Sequence, residues 1–99
     1  MYGTVAVFRA KPGVEERLRQ LMEEFPGDEV PGFIAEYVYR SDADPNTFYI
    51  AAIFRDRETY VANAKDPAQH ERYLQFRELL VSDPEWHDGE IVFPKGEVK

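Results

Sequence analysis

The chain has no cysteine, which excludes a disulfide framework, a thiolate nucleophile and any cysteine-based zinc or iron–sulfur site. It is also short of positive charge: 12 Lys and Arg stand against 19 Asp and Glu, for a net charge of −7 and a pI near 4.8. Nucleic acid and anionic membrane surfaces would both be repelled by the average field of such a protein, so neither is an expected partner. Long hydrophobic runs are missing too. The opening "MYGTVAVFRAKPG" lacks the basic start, apolar stretch and small-residue cleavage site of a signal peptide, and the chain is expected to be cytoplasmic. Histidine occurs only twice and tryptophan once, so chemistry that needs either has few places to be.

Ninety-nine residues are expected to form one domain over 1–99, with a tail from about residue 95. A core of this size buries only part of the unfolded surface, and a partner subunit would help. Tyr2 to Ala10 is rich in β-branched and aromatic residues and stops at "KPG", as a strand does before a turn. From Val14 the period becomes helical, through Leu18, Leu21, Met22 and Phe25, with Glu15 and Glu16 suited to the positive end of the dipole and "FPG" as the stop. "FIAEYVYR" and "TFYIAAIFR", joined by the turn formers of "SDADPN", read as an antiparallel hairpin. Asp56 is placed to cap a helix starting near Arg57. Asp66 is placed to cap another, with Pro67 at its first position and Gln69 completing a capping box. "SDPEWHDG" reads as a turn and "EIVFP" as a short last strand.

The order is β-α-β-β-α-β, which predicts an α+β, ferredoxin-like fold with a four-stranded antiparallel sheet and the helices on one face. In the first and third strands both parities are apolar: Val5 and Val7 alternate with Ala6 and Phe8, and Tyr49, Ala51 and Ile53 with Phe48, Ile50, Ala52 and Phe54. Helices suffice for one face only, so the other face predicts burial by a second subunit.

The succession from Val30 to Tyr73, "VPGFIAEYVYRSDADPNTFYIAAIFRDRETYVANAKDPAQHERY", resembles the antibiotic biosynthesis monooxygenase family of dimeric α/β barrels, and the resemblance extends over nearly the whole chain. It implies a homodimer, a small aromatic ligand and, in one branch of the family, cofactor-free oxygenation of phenols and quinols; other branches degrade haem or isomerise their substrates. Tyr60 in "DRETY" falls where the monooxygenase branch has an active-site tyrosine. Phe54 stands at a position usually held by tryptophan, and Ile50 where polyketide-oxidising members have asparagine. Asn63 stands where other members carry a polar or histidine side chain. His70 lies near the haem-binding histidine of the haem-degrading branch, whose first-strand asparagine is replaced by Ala6. With that asparagine and the tryptophan absent, the resemblance favours oxygenation without a cofactor over haem degradation.

Each candidate carries two readings. His70 sits at the edge of the helical stripe formed by Tyr73, Phe76 and Leu80. It is either a rim residue bonded to a backbone group or carboxylate, or a general base at a pocket mouth, since imidazole titrates near neutrality. A metal ligand there would lack companions, and no metal is expected. Tyr60 and Tyr73 are core phenols or substrate-orienting hydroxyls. Asn63 is a surface residue or a hydrogen-bonding group toward ligand. Ala6, Phe8, Ile50 and Phe54, with Tyr73 and Phe76, would line a cavity between sheet and helices, where the alanines leave room. Trp86 is expected to plug the core end, His87 to be a turn residue beside Asp88, and Glu36 to pair with an arginine or lysine of the partner rather than act as a buried base. The reading favoured from sequence is a cofactor-independent monooxygenase acting through His70, Tyr60 and Asn63. A non-catalytic binding module and an isomerase using the same pocket are the alternatives.

Overall fold

The computed structural model describes residues 1–96. Its elements are β1 (Tyr2–Arg9), α1 (Glu15–Glu23), a 3-10 turn (Gly27–Glu29), β2 (Phe33–Arg40), β3 (Thr47–Phe54), α2 (Arg57–Lys65), α3 (Pro67–Arg77) and β4 (Glu85–Glu90). The strands form one antiparallel sheet in the order β2-β3-β1-β4. This is the ferredoxin-like α+β arrangement expected from the periodicity. The expected tail from Lys95 lies, beyond Gly96, outside the described residues.

Local chemistry sets the boundaries. In the β2–β3 hairpin, Asp44 accepts from the Asn46 N–H at 3.0 Å and from the Thr47 hydroxyl at 2.8 Å. These bonds hold its carboxyl below the ordinary carboxylate range. Asp56 caps α2 by accepting from the Thr59 N–H at 2.8 Å, and the same contact depresses its carboxyl. Gly32, at φ 79°, leads into β2 where any Cβ would collide with the Thr59 side chain, so the left-handed turn and the close approach both require glycine. Asp66 caps α3 through the Ala68 N–H, with Pro67 at its first position. The expected capping box does not form, because the Gln69 amide oxygen accepts from the Arg72 guanidinium at 2.9 and 3.1 Å instead.

The core lies between the sheet and the helices. Phe8 stacks on Phe48 at 5.2 Å and takes the edge of Phe76 at 4.9 Å, contacts worth about 0.5–1.5 kcal/mol each beyond area burial. Leu18, Ile50 and Leu80 complete it. On the opposite face Val5 is 54% exposed, Tyr37 56% and Tyr39 58%.

The last strand is displaced from its expected place. Glu85–Glu90, not "EIVFP", pairs with β1, bringing Trp86 opposite Ala6, His87 opposite Val5 and Asp88 opposite Thr4. All six of its residues are exposed. An edge strand of this kind needs no apolar alternation to form its ladder, and polar residues protect such an edge. Trp86 therefore does not plug the core; it is 45% exposed on the sheet. His87 is a strand residue on the open face, its Nε2 3.2 Å from Glu85.

Candidate active site

Paired residues of an antiparallel sheet share a face, so register alone lays out the floor beneath the helices. One row crosses all four strands: Glu36 opposite Ala52, Ala52 opposite Thr4, Thr4 opposite Asp88. The row beside it is Val38, Ile50, Ala6 and Trp86. The methyl of Ala52 leaves a hollow in the middle of the first row, and over it lies a cavity of about 600 Å³.

Ile50, Phe54, Tyr73 and Phe76 line this cavity, and so do Tyr60, Asn63 and His70. Ala6 and Phe8 do not. They share the strand parity of the lining residues but are 0% and 2% exposed, covered completely by their neighbours in the core. Parity gives a face, whereas the position of the helices along the strand decides whether that face is packed or hollow.

α2 brings in Tyr60 and Asn63. The Tyr60 ring sits on Phe54 and Tyr2, at centroid separations of 5.5 and 5.3 Å. Its hydroxyl donates to Asp88 Oδ1 at 2.7 Å. Burial, reinforced by that carboxylate, pushes the phenol up to about 12, with the nearby Thr4 hydroxyl working in the other direction. Tyr60 is therefore a fixed neutral donor to Asp88 whose oxygen keeps lone pairs free for a second bond. Asn63 is half-buried at the lining. His70, near the start of α3, is exposed at the cavity edge and forms no ion pair among the described residues.

Two further polar groups face the same space. Thr4 is 5% exposed, and its buried Oγ1 has no hydrogen-bond partner of proper geometry among the described residues, despite the proximity of Tyr60. Glu36 lines both the cavity and an adjoining groove of about 520 Å³ beside Phe25, Pro26 and Phe33. Burial alone raises its carboxyl above the ordinary range. Glu36 makes no ion pair among the described residues, and its row faces the helices rather than the open face. Arg72, over the Phe25 ring at 5.5 Å and bonded to Gln69, belongs to the same wall.

The arrangement can hold a flat apolar molecule, offer hydrogen bonds from several directions and exchange a proton. Among the described residues no three His, Asp or Glu side chains come together as metal ligands would, and no helix is long and apolar enough to cross a membrane. Thr4 and Asp88 were missed from sequence. Thr4 carried a usable signal, since it is the one aliphatic hydroxyl on the core parity of "YGTVAVF". Asp88 carried none once its strand was taken for a turn.

The antibiotic biosynthesis monooxygenase family model matches residues 1–78. No curated protein sequence matches the chain. Among solved structures, a candidate antibiotic biosynthesis monooxygenase from Chloroflexus aurantiacus is 25% identical with a TM-score of 0.78, covering 96% of each chain. Another from Deinococcus radiodurans is 15% identical with a TM-score of 0.82 and full coverage of both chains. SnoaB, a cofactor-independent oxygenase from Streptomyces nogalater, is 16% identical with a TM-score of 0.77, covering 95% of this chain and 97% of its own. The two more distant likenesses establish the fold alone, and the family match over most of the sequence carries the assignment: the chain belongs to the antibiotic biosynthesis monooxygenase family.

Proposed function

We propose that the protein is a cofactor-independent monooxygenase of a small phenolic or quinol-like aromatic, working as a homodimer. The observation that carries this reading is the cavity of about 600 Å³, walled by Ile50, Phe54, Tyr73 and Phe76 and supplied with polar groups by Tyr60, Asn63 and His70. Apolar walls with a few convergent polar groups suit an aromatic ring bearing oxygen.

The chemistry balances without a redox group. A phenol with a hydrogen on the para carbon loses its hydroxyl proton, and the phenolate passes an electron to dioxygen. The resulting radicals combine at the para carbon, and the peroxide loses water. One oxygen atom enters the ring as the second quinone carbonyl and the other leaves as water. In this scheme Tyr60 and Asn63 hold substrate oxygens, the aromatic wall excludes water, and His70 relays protons between the cavity and solvent. The chain's contribution is orientation and desolvation. The second copy would cover the exposed face around Val5, Tyr37 and Tyr39.

Metal-free protein given a panel of naphthols, quinols and catechols should consume dissolved oxygen saturably with at least one of them. Uptake no faster than buffer, with saturable binding of the same compounds, would favour the second reading, a non-catalytic binding module. The apolar side chains of Ile50 and Phe54 support that alternative, since they offer a substrate no hydrogen bond. An isomerase in the same pocket would turn its substrate over without oxygen.

A further inference from the structure

We propose that Glu36 is the base that takes the proton from a phenolic hydroxyl bound over Ala52, while Thr4, on the far side of the same ring, binds the oxygen that the ring gains. The proposal rests on the oxygenase reading above and names the group that starts the reaction.

Register is the first support. Glu36, Ala52 and Thr4 lie in one row on adjacent strands, so with strands about 4.8 Å apart the outer two backbones are separated by roughly 10 Å. Side chains leaning inward over a methyl from that separation leave room for one aromatic ring. A hydroxyl directed at Glu36 then places the para carbon at the Thr4 end. The second support is the state of Thr4: a hydroxyl 5% exposed, with its oxygen unpartnered among the described residues, in the lining of a cavity. A buried hydroxyl without a partner costs free energy that a hydrogen bond to a ligand oxygen restores. Although the Tyr60 oxygen is near, no hydrogen bond of proper geometry joins it to Thr4 among the described residues, so the Thr4 hydroxyl is available to a ligand oxygen.

Glu36 is the only carboxylate of the cavity floor that makes no hydrogen bond or ion pair among the described residues. The charged and titratable groups sharing its surroundings are Glu24 just past α1, Asp28 and Glu29 on the 3-10 turn, Tyr60 and Lys65 on α2, His70, Arg72 and Tyr73 on α3, and Asp88 on β4. None of them offsets the effect of burial on its carboxyl. A carboxylate raised toward neutrality is better matched to a phenol than an ordinary one. His70, by contrast, is exposed at the edge. In the step itself the phenolic O–H bond breaks, an Oε–H bond forms on Glu36, and the electron pair stays on the phenolate. That proton returns by way of water to the peroxide at the Thr4 end. The para C–H proton then goes to the departing hydroxide as the O–O bond breaks, so both protons end in water.

The test uses the intact protein, with 1-naphthol and its methyl ether, 1-methoxynaphthalene, as probes. With 1-naphthol as substrate, Glu36→Gln should lower kcat by about 100-fold or more while binding persists, and Thr4→Val should lower kcat by about 10-fold, with Thr4→Ser restoring it. Undiminished turnover in Glu36→Gln would overturn the proposal, and undiminished turnover in Thr4→Val would remove Thr4 from it. Absence of turnover in the parent protein sinks the oxygenase reading separately. In that case the hydroxyl contact is judged by binding: the parent should prefer naphthol over its ether by about 10-fold and Glu36→Gln should lose the preference, whereas an unchanged preference refutes the contact. A melt verifies folding and carries its own sign. With its carboxyl raised in the native state, Glu36 keeps a proton that the unfolded chain has already released, so stability falls as pH rises between the two pKa values. Glu36→Gln removes that loss, so it should melt higher than the parent at neutral pH, with the difference vanishing in acid below the ordinary carboxylate range.

Discussion

The two faces of the sheet are built from the same strands with similar composition, yet they are put to different uses. Toward the helices, Phe8, Ile50 and Phe54 are buried and the row Glu36–Ala52–Thr4–Asp88 underlies a cavity. Away from them, Val5, Tyr37, Tyr39 and Tyr49 are exposed, with His87 and Glu85 at the edge. Alternation supplies apolar residues to both faces. What distinguishes them is the cover: three helices rest on one face, close at the Phe8–Phe76 end and lifted at the Ala52 end. The hollow is thus a consequence of where the helices sit along the strands, and the open face is left without cover within the chain.

Breaking the closed face should have the largest effect. Phe76 is buried with its ring against Phe8 and Tyr73, so Phe76→Ala should destabilise the fold by about 3–5 kcal/mol in urea titration. A loss below about 1 kcal/mol would mean that the helices do not seal that end.

Breaking the open face should act on assembly. Val5→Lys puts a charge at the centre of the exposed apolar surface, and sedimentation should show the dimer of the parent protein converted to monomer. A parent that sediments as one chain at micromolar concentration would remove the dimer from the proposal. A lysine variant that remains a dimer would move the interface elsewhere.

The smallest change is expected at His70, at the boundary between the two regimes of cavity and solvent. Because its ring is exposed, His70→Ala should shift stability by no more than about 0.5 kcal/mol. Turnover, if His70 relays protons, should fall. Equal turnover would remove it from the mechanism, and a large loss of stability would place it in the core.

Much of the fold was legible because its signals are local. Asp56, Asp66 with Pro67, and the turn chemistry of Asp44 and Asn46 each mark a boundary through hydrogen bonds within a few residues. β4 was not legible, since its strand state comes from a ladder with β1, which begins more than eighty residues earlier, and Glu85–Glu90 has no alternation of its own. The same distinction runs through the site. Tyr60, Asn63 and His70 were singled out from sequence, and they line one cavity. Thr4, Glu36 and Asp88 gain their meaning from a cross-strand register that no short window contains. Ala6 and Phe8 were placed in the cavity on parity, which is blind to where along a strand the helices descend.

The most direct test of the central claim is to follow isotopically labelled dioxygen through a single turnover of a phenol by metal-free protein. The expected result is a quinone carrying one labelled oxygen atom, with the other recovered in water. A product labelled from the solvent, or a substrate altered without uptake of the label, would contradict oxygenation in this cavity.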